Sequence, residues 1–173
     1  MNRKLRVALI STGGTIEKTY DPLAGALANN LSVLDLLLAQ LDLKGVELVR
    51  VPLMNKDSLE MDDADHTLIA RTAQAMAATH DAVLVVHGTD KLQYSGEHTF
   101  ALMPEPRVPI VFTGAMVPYE FRHTDAVQNI TESLLAVQIV PPGVYSVFHN
   151  QVLRFPGVIK DTKRGCFIRK EDA

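Results

Sequence analysis

The sequence is short of several things, and each shortage excludes a class of protein. A single cysteine, Cys166, stands in 173 residues, so no disulfide forms within the chain and a stapled secreted scaffold is excluded. No apolar run approaches the roughly 20 residues that a bilayer-spanning helix needs. Neither sign of charge is in large excess. With 17 Lys and Arg against 20 Asp and Glu the formal net charge is -3, and a nucleic-acid or anionic-membrane surface leaves no footprint. Small, weakly charged partners are expected instead. Met1-Asn2-Arg3-Lys4 leads straight into an apolar segment with no small-residue cleavage site, so a cytoplasmic protein without a secretory leader is expected. Repeats, low-complexity tracts and linkers are missing too. At 47% hydrophobic and 21% charged residues, one domain over residues 1–173 with one core is expected.

What the sequence does hold is a set of abrupt changes from apolar to polar. Val83-Leu84-Val85-Val86 reads as a strand covered on both faces, and the switch to His87-Gly88-Thr89-Asp90 marks where it emerges. Leu5 to Ile10 behaves alike and runs into Ser11-Thr12-Gly13-Gly14-Thr15. Val46 to Leu53 is a further strand, followed by the polar stretch Asn55-Lys56-Asp57-Ser58-Leu59-Glu60-Met61. Val108 to Phe112 ends in Thr113-Gly114-Ala115-Met116. Ligands of open α/β sheets collect at such carboxyl ends.

Between the strands lie helical patterns. Leu31, Leu34, Leu37, Leu38 and Leu41 fall at helical spacing and predict an amphipathic helix docked on the sheet. Asp62 or Asp63 is the expected N-cap of a helix running to Thr79. Tyr94 to Leu102 is stopped by Pro104 and Pro106, and Val127, Ile130, Leu134 and Val137 predict another helix that Pro141-Pro142-Gly143 ends. Val144 to Phe148 and Val152 to Phe155 are the last strands, with a hairpin as one arrangement. Gly13 to Asn30 has no periodicity and reads as a functional loop or lid. The alternation predicts a single three-layer α/β/α domain with a mostly parallel, flavodoxin- or Rossmann-like sheet.

Several chemistries find no support. Gly13-Gly14 is not G-x-G-x-x-G and the Walker A pattern is missing, which argues against nucleotide binding. The six histidines show no paired ligand spacing such as H-E-x-x-H, so no metal is expected and His87 reads as a hydrogen-bonded structural residue. Ser95 lacks the G-x-S-x-G elbow of a serine hydrolase. A hydroxyl chemistry without histidine remains.

Here Thr12-Gly13-Gly14-Thr15-Ile16, His87-Gly88-Thr89-Asp90 and Gly114-Ala115-Met116, each at a strand exit and in this order, resemble the signature set of the bacterial-type L-asparaginases. Asp57-Ser58 and the Lys160 segment resemble the same pattern, so the likeness spans nearly the whole chain. It implies hydrolysis of the side-chain amide of L-asparagine to aspartate and ammonia, with no cofactor. Carried over by position, the resemblance makes Thr15 the primary nucleophile and Thr89, Asp90 and Lys160 the accompanying triad, with Tyr20 the lid tyrosine assisting Thr15. Ser58 and Asp90 would hold the substrate α-carboxylate and α-ammonium, with Gly14, Leu59, Gly88 and Ala115 as further substrate contacts.

The chemistry is consistent with those roles. A threonine hydroxyl is a weak nucleophile at neutral pH and needs a base beside it. A lysine amine serves if desolvation favours its neutral form, while the adjacent Asp90 carboxylate favours the charged one. Backbone amides of the Gly14-Thr15 turn or of Ala115 would supply an oxyanion site, worth about 3 to 4 kcal/mol per donor. Taken singly, each residue has an ordinary reading: Gly13-Gly14 as a tight turn, Thr15 as a turn hydroxyl, Lys160 as a solvated charge, Tyr20 as a loop aromatic. The joint pattern is what sets those readings aside.

Departures from the family pattern are equally specific. Family members are longer and carry a carboxy-terminal domain whose acidic residue supports the lid tyrosine; Met1 and the polar ending Arg169-Lys170-Glu171-Asp172-Ala173 lead us to expect a complete short form. Leu59 stands where a glutamine is common, and Lys91 where a threonine is usual. A homo-oligomer, dimer or tetramer, is expected because such sites are completed by a neighbour. The competing readings are a non-catalytic amino-acid-binding or assembly domain and an amidotransferase component that releases ammonia for a partner.

Overall fold

A computed structural model describes residues 3–28 and 33–173. Strand β1 (Leu5–Gly13) is longer than its apolar run. Val7 to Ile10 are fully buried, and the polar Ser11 and Thr12 continue the strand because they too are buried, the Thr12 hydroxyl donating to the Val86 carbonyl at 3.0 Å. A buried hydroxyl so satisfied costs little.

Within the segment read as a functional loop or lid, whose last two residues lie outside the described ones, stands a short hairpin, β2 (Thr19–Asp21) and β3 (Ala26–Ala28), paired antiparallel. Its turn is built by the Asp21 carboxylate, which accepts the Leu23 and Ala24 amides at 2.9 and 3.2 Å, the Asx pattern that competes with regular structure. The leucine-rich helix shrinks to five residues, α1 (Leu34–Leu38), with no side-chain cap. Leu34 and Leu37 are its buried pair, while Leu31 lies outside the described residues. A helix this short draws its stability from packing.

Strand β4 (Val46–Lys56) follows, then α2 (Asp63–Ala77). Of the two cap candidates the structure uses Asp62, in a reciprocal capping box: its carboxylate accepts the Asp65 amide at 3.0 Å and that of Asp65 accepts the Asp62 amide at 3.2 Å. Next come β5 (Ala82–Val86), α3 (Leu92–Leu102), β6 (Pro109–Thr113), α4 (Ala126–Ala136), β7 (Gly143–Phe148) and β8 (Gln151–Arg154). Of the stripe expected in α4, Ile130, Leu134 and Val137 are buried and only Val127 departs from it. Val127 is 36% exposed, and Ala126, Asn129, Ile130, Ser133 and Leu134 are the buried face. Strands β7 and β8 do form a hairpin, turned through His149 (φ 48) and Asn150 (φ 63), the left-handed pair that suits the strand twist. A third hairpin, β9 (Val158–Asp161) and β10 (Cys166–Arg169), stands outside the expected set of strands.

The main sheet runs β4-β1-β5-β6-β7-β8, parallel except for β8. Val7, Leu9, Leu84, Val86, Val111 and Val147 pack with Leu34, Leu37, Ile130 and Leu134 on one side. Ile10, Val83, Val85, Ile110 and Phe112 pack with Ile69, Ala73 and Leu92 on the other. Alternate residues of one strand thus serve opposite layers, and the protein is a three-layer α/β domain with a flavodoxin-like strand order. The order reverses between β1 and β5, which opens the crevice where such sheets bind ligands. No described helix is long and apolar enough to cross a membrane.

Candidate active site

Three strand exits interlock at that crevice. Gly14, at φ 85, lies so close to the loop after β5 that a Cβ on it would sit 2.4 Å from the Gly88 Cα. A Cβ on Gly88 would in turn sit 2.6 Å from Ser58 Oγ. Neither glycine admits a side chain without displacement of its neighbours. The Gly14 amide also donates to the Lys56 carbonyl at 3.0 Å, tying the exit of β1 to that of β4.

Thr89 and Asp90 follow Gly88, and Lys160 reaches them from β9. Its Nζ donates to Thr89 Oγ1 at 2.8 Å and to Asp90 Oδ1 at 2.7 Å. Thr89 is buried, and the Lys160 side chain is only 14% exposed against 40% for Asp90. The backbone of Lys160 is fixed as well, its amide donating to Gln93 Oε1 on α3 at 2.7 Å. A hydroxyl, an amine and a carboxylate therefore share one contact, the composition needed to activate a weak oxygen nucleophile.

Thr15 opens a 3₁₀ turn (Thr15–Glu17) anchored by the fully buried Ile16. It is half-buried, one residue beyond Gly14 as Thr89 is one residue beyond Gly88. Among the described residues no hydrogen bond joins Thr15 to Thr89 or Lys160. Tyr20 is on β2 with its ring 55% exposed, and the hairpin that carries it is held by the Tyr20 amide donating to Glu120 Oε2 at 2.7 Å. Glu120 carries no sequence signal for that role.

Ser58 is buried in a 3₁₀ turn (Ser58–Glu60) whose cap is Asp57, accepting the Leu59 amide at 3.0 Å. Burial pushes the Asp57 carboxyl up, but the Lys18 ammonium and the Leu59 amide more than offset this and hold it below the usual range. The Leu59 side chain points out, 63% exposed. Ala115 is buried in the core, and the next two amides, of Met116 and Val117, donate to the Asp125 carboxylate at 3.0 and 2.9 Å. Asp125 also receives Asn129 Nδ2 and His149 Nε2, at 2.8 and 2.7 Å. Burial raises its carboxyl, and these donors together bring it below the usual range. Sequence reading missed Asp125, although an acidic residue just before a helix is a signal that would have drawn notice to it.

Two further positions resolve plainly. The Lys91 ammonium donates to the Met61 carbonyl at 2.7 Å, which directs its charge to the turn before α2. His87 is buried and hydrogen-bonded on both ring nitrogens, to the Gly88 carbonyl at 2.7 Å and to Ser95 Oγ at 2.8 Å, the structural placement expected of it. Among the described residues no group of three His, Cys, Asp or Glu is placed to hold a metal ion.

Known proteins resemble this chain in sequence and in fold. Residues 6–166 match the family model described as asparaginase, N-terminal. An L-asparaginase of Thermococcus kodakarensis is 27% identical over 151 residues, 86% of this chain and 45% of that protein. A component of the glutamyl-tRNA(Gln) amidotransferase of Haloquadratum walsbyi is 36% identical over 145 residues, 83% of this chain and 33% of that protein. The solved Thermococcus kodakarensis L-asparaginase superposes with a TM-score of 0.83 at 27% identity, over 95% of this chain and 51% of its own. L-asparaginase I of Vibrio cholerae, at 19% identity and a TM-score of 0.80 over 96% of this chain and 52% of its own, shares the fold. The chain thus spans about half, or less, of the relatives it matches, and it belongs to the asparaginase family, to which it corresponds as the amino-terminal domain.

Proposed function

We propose that this domain carries the hydrolytic centre of an L-asparaginase, in which a threonine hydroxyl attacks the side-chain amide of L-asparagine and releases ammonia. The observation that carries the reading is Lys160 Nζ within hydrogen-bonding distance of both Thr89 Oγ1 and Asp90 Oδ1, at 2.8 and 2.7 Å, beside the Gly14 and Gly88 contact. In this reading Thr15 attacks the amide carbon, and Thr89 with Lys160 receives the proton and delivers it to the departing ammonia. Asp90 and Ser58 hold the substrate's ammonium and carboxylate, and Tyr20 closes over the site with the hairpin. Gly14, Gly88 and Ala115 contribute backbone, since no side chain of theirs reaches the crevice. Leu59 contributes no polar group to the ammonium. The proposal includes assembly of the protein with a second copy of itself and an intracellular place of action.

Ammonia release from L-asparagine, compared between the wild type and Thr15→Ala, tests it. Turnover in the wild type that falls by three orders of magnitude in the variant supports a threonine nucleophile, and equal turnover in both refutes it. The similarity to the amidotransferase component favours a second reading, in which the same centre releases ammonia for a partner enzyme. Free asparagine would then be a poor substrate until the partner is bound.

A further inference from the structure

Beneath the Gly88 turn, three polar side chains that the proposed reaction does not use lie in one line. His66 on α2 places Nδ1 2.7 Å from Ser95 Oγ on α3, and Ser95 Oγ lies 2.8 Å from His87 Nε2. His87 Nδ1 is 2.7 Å from the Gly88 carbonyl oxygen. All three residues are buried. Hydrogen-bond bookkeeping assigns every proton in this series. A carbonyl oxygen only accepts, so His87 Nδ1 carries a hydrogen. Complete burial disfavours the imidazolium, so His87 is neutral and its Nε2 is a bare acceptor. Ser95 must then donate its one hydroxyl proton to His87 Nε2. With that proton committed, Ser95 Oγ can only accept from its other neighbour, and His66 Nδ1 must be the donor.

We infer that His66, Ser95 and His87 form one hydrogen-bond chain with a single permitted direction, from α2 through α3 to the Gly88 carbonyl, and that His66 is a positioning residue for the turn bearing Thr89. The chain acts through the backbone: the Gly88 carbonyl is held from below while Gly14 presses on Gly88 from the neighbouring strand. Its two histidines are held as Nδ1–H tautomers, the less favoured form of a free imidazole. His66 also lines an open cavity of about 450 Å³ together with Met61, Asp62, Asp63, Lys91 and Tyr94, and its Nε2 is the nitrogen left for solvent there.

The direction is what an experiment reads. In the uniformly ¹⁵N-labelled chain at neutral pH, the imidazole nitrogen shifts of His66 and His87 are expected to report Nδ1–H tautomers at both residues. An Nε2–H tautomer at either residue overturns the chain. This measurement stands whatever the reaction is. The kinetic arm rests on the asparaginase reading. His66→Asn keeps a donor where Nδ1 was and is expected to retain kcat within about threefold, with the His87 tautomer unchanged. His66→Asp offers an acceptor, takes the Ser95 proton and leaves His87, between the Gly88 carbonyl and Ser95 Oγ, with no compatible neutral tautomer, so that it must either lose a hydrogen bond or take up a charge where it is fully buried. A fall in kcat of about tenfold or more with little change in KM is expected. Equal kcat in the two variants, or a loss confined to KM, overturns the positioning role. A wild type that releases no ammonia refutes the reaction proposed above and leaves the tautomer measurement to decide the chain.

Discussion

Gln93 and Lys160 are joined by a 2.7 Å hydrogen bond from the Lys160 amide to Gln93 Oε1, and this bond is what fastens β9 to the first turn of α3. Lys160 comes from a two-stranded hairpin outside the main sheet, so its placement depends on such ties. Gln93→Ala leaves a half-buried amide without a partner, at about 1 to 3 kcal/mol. We expect a lowered urea midpoint with an unchanged slope, and a kcat that falls more than KM rises.

The Gly14 and Gly88 contact sets a second expectation. Gly88→Ala must displace the side chain of Ser58, with Oγ at 2.6 Å and Cβ at 2.7 Å, whereas Gly14→Ala meets Gly88 backbone atoms at 2.4 and 2.5 Å and starts from φ 85. Overpacking costs about 1 to 3 kcal/mol, and a residue forced to positive φ adds about 1 to 2 kcal/mol. Gly14→Ala is therefore the more destabilising of the two. Denaturant unfolding of both variants checks the order.

His87 makes stability depend on pH. Burial, as the main cause, drives its pKa from 6.5 to about 4, so between those values the unfolded chain binds a proton that the folded one refuses. The stabilisation is complete above pH 6.5 and is lost as pH falls toward 4, by about 3 kcal/mol at roughly 1.36 kcal/mol per pKa unit. His66, lowered first by burial and then by His98 and Lys91, acts in the same sense. His87→Gln, which does not titrate, is expected to flatten the stability curve between pH 6.5 and 4 as followed by urea unfolding.

The strand exits were legible because a buried parallel strand must be apolar throughout and must change character where it leaves the sheet, as Val86 to His87 does. Polar residues that are buried hid the rest. Asn129, which donates to the Gly114 carbonyl at 2.9 Å, and Ser133 lie on the inner face of α4, so the apolar period pointed to Val127 instead. The β2 and β3 hairpin was obscured because its three-residue strands are too short for an alternating pattern to register, and β9 and β10 are four residues each. Lys160 was found through its resemblance to a family pattern, whereas the partners that hold it, Gln93 and β10, have no signature of their own. The chain through Ser95 is a property of the folded helices, since His66 and Ser95 are 29 residues apart.

Leu59 bears on substrate affinity. Its side chain is 63% exposed, so Leu59→Gln should leave stability within about 0.5 kcal/mol. If the glutamine supplies a hydrogen bond to the substrate ammonium, worth about 1.5 to 3 kcal/mol, KM for L-asparagine falls by roughly 10- to 100-fold. An unchanged KM would place the ammonium elsewhere.

In the proposed reaction the Lys160 amine works on the Thr89 hydroxyl during amide cleavage, a role that Lys160→Met tests by keeping the length of the side chain and removing the amine. With saturating L-asparagine the variant is predicted to release ammonia about 10² to 10⁴ times more slowly than the wild type, the usual span for a lost acid–base group. Ammonia release within tenfold of the wild type, from a variant that is folded by circular dichroism, would contradict it.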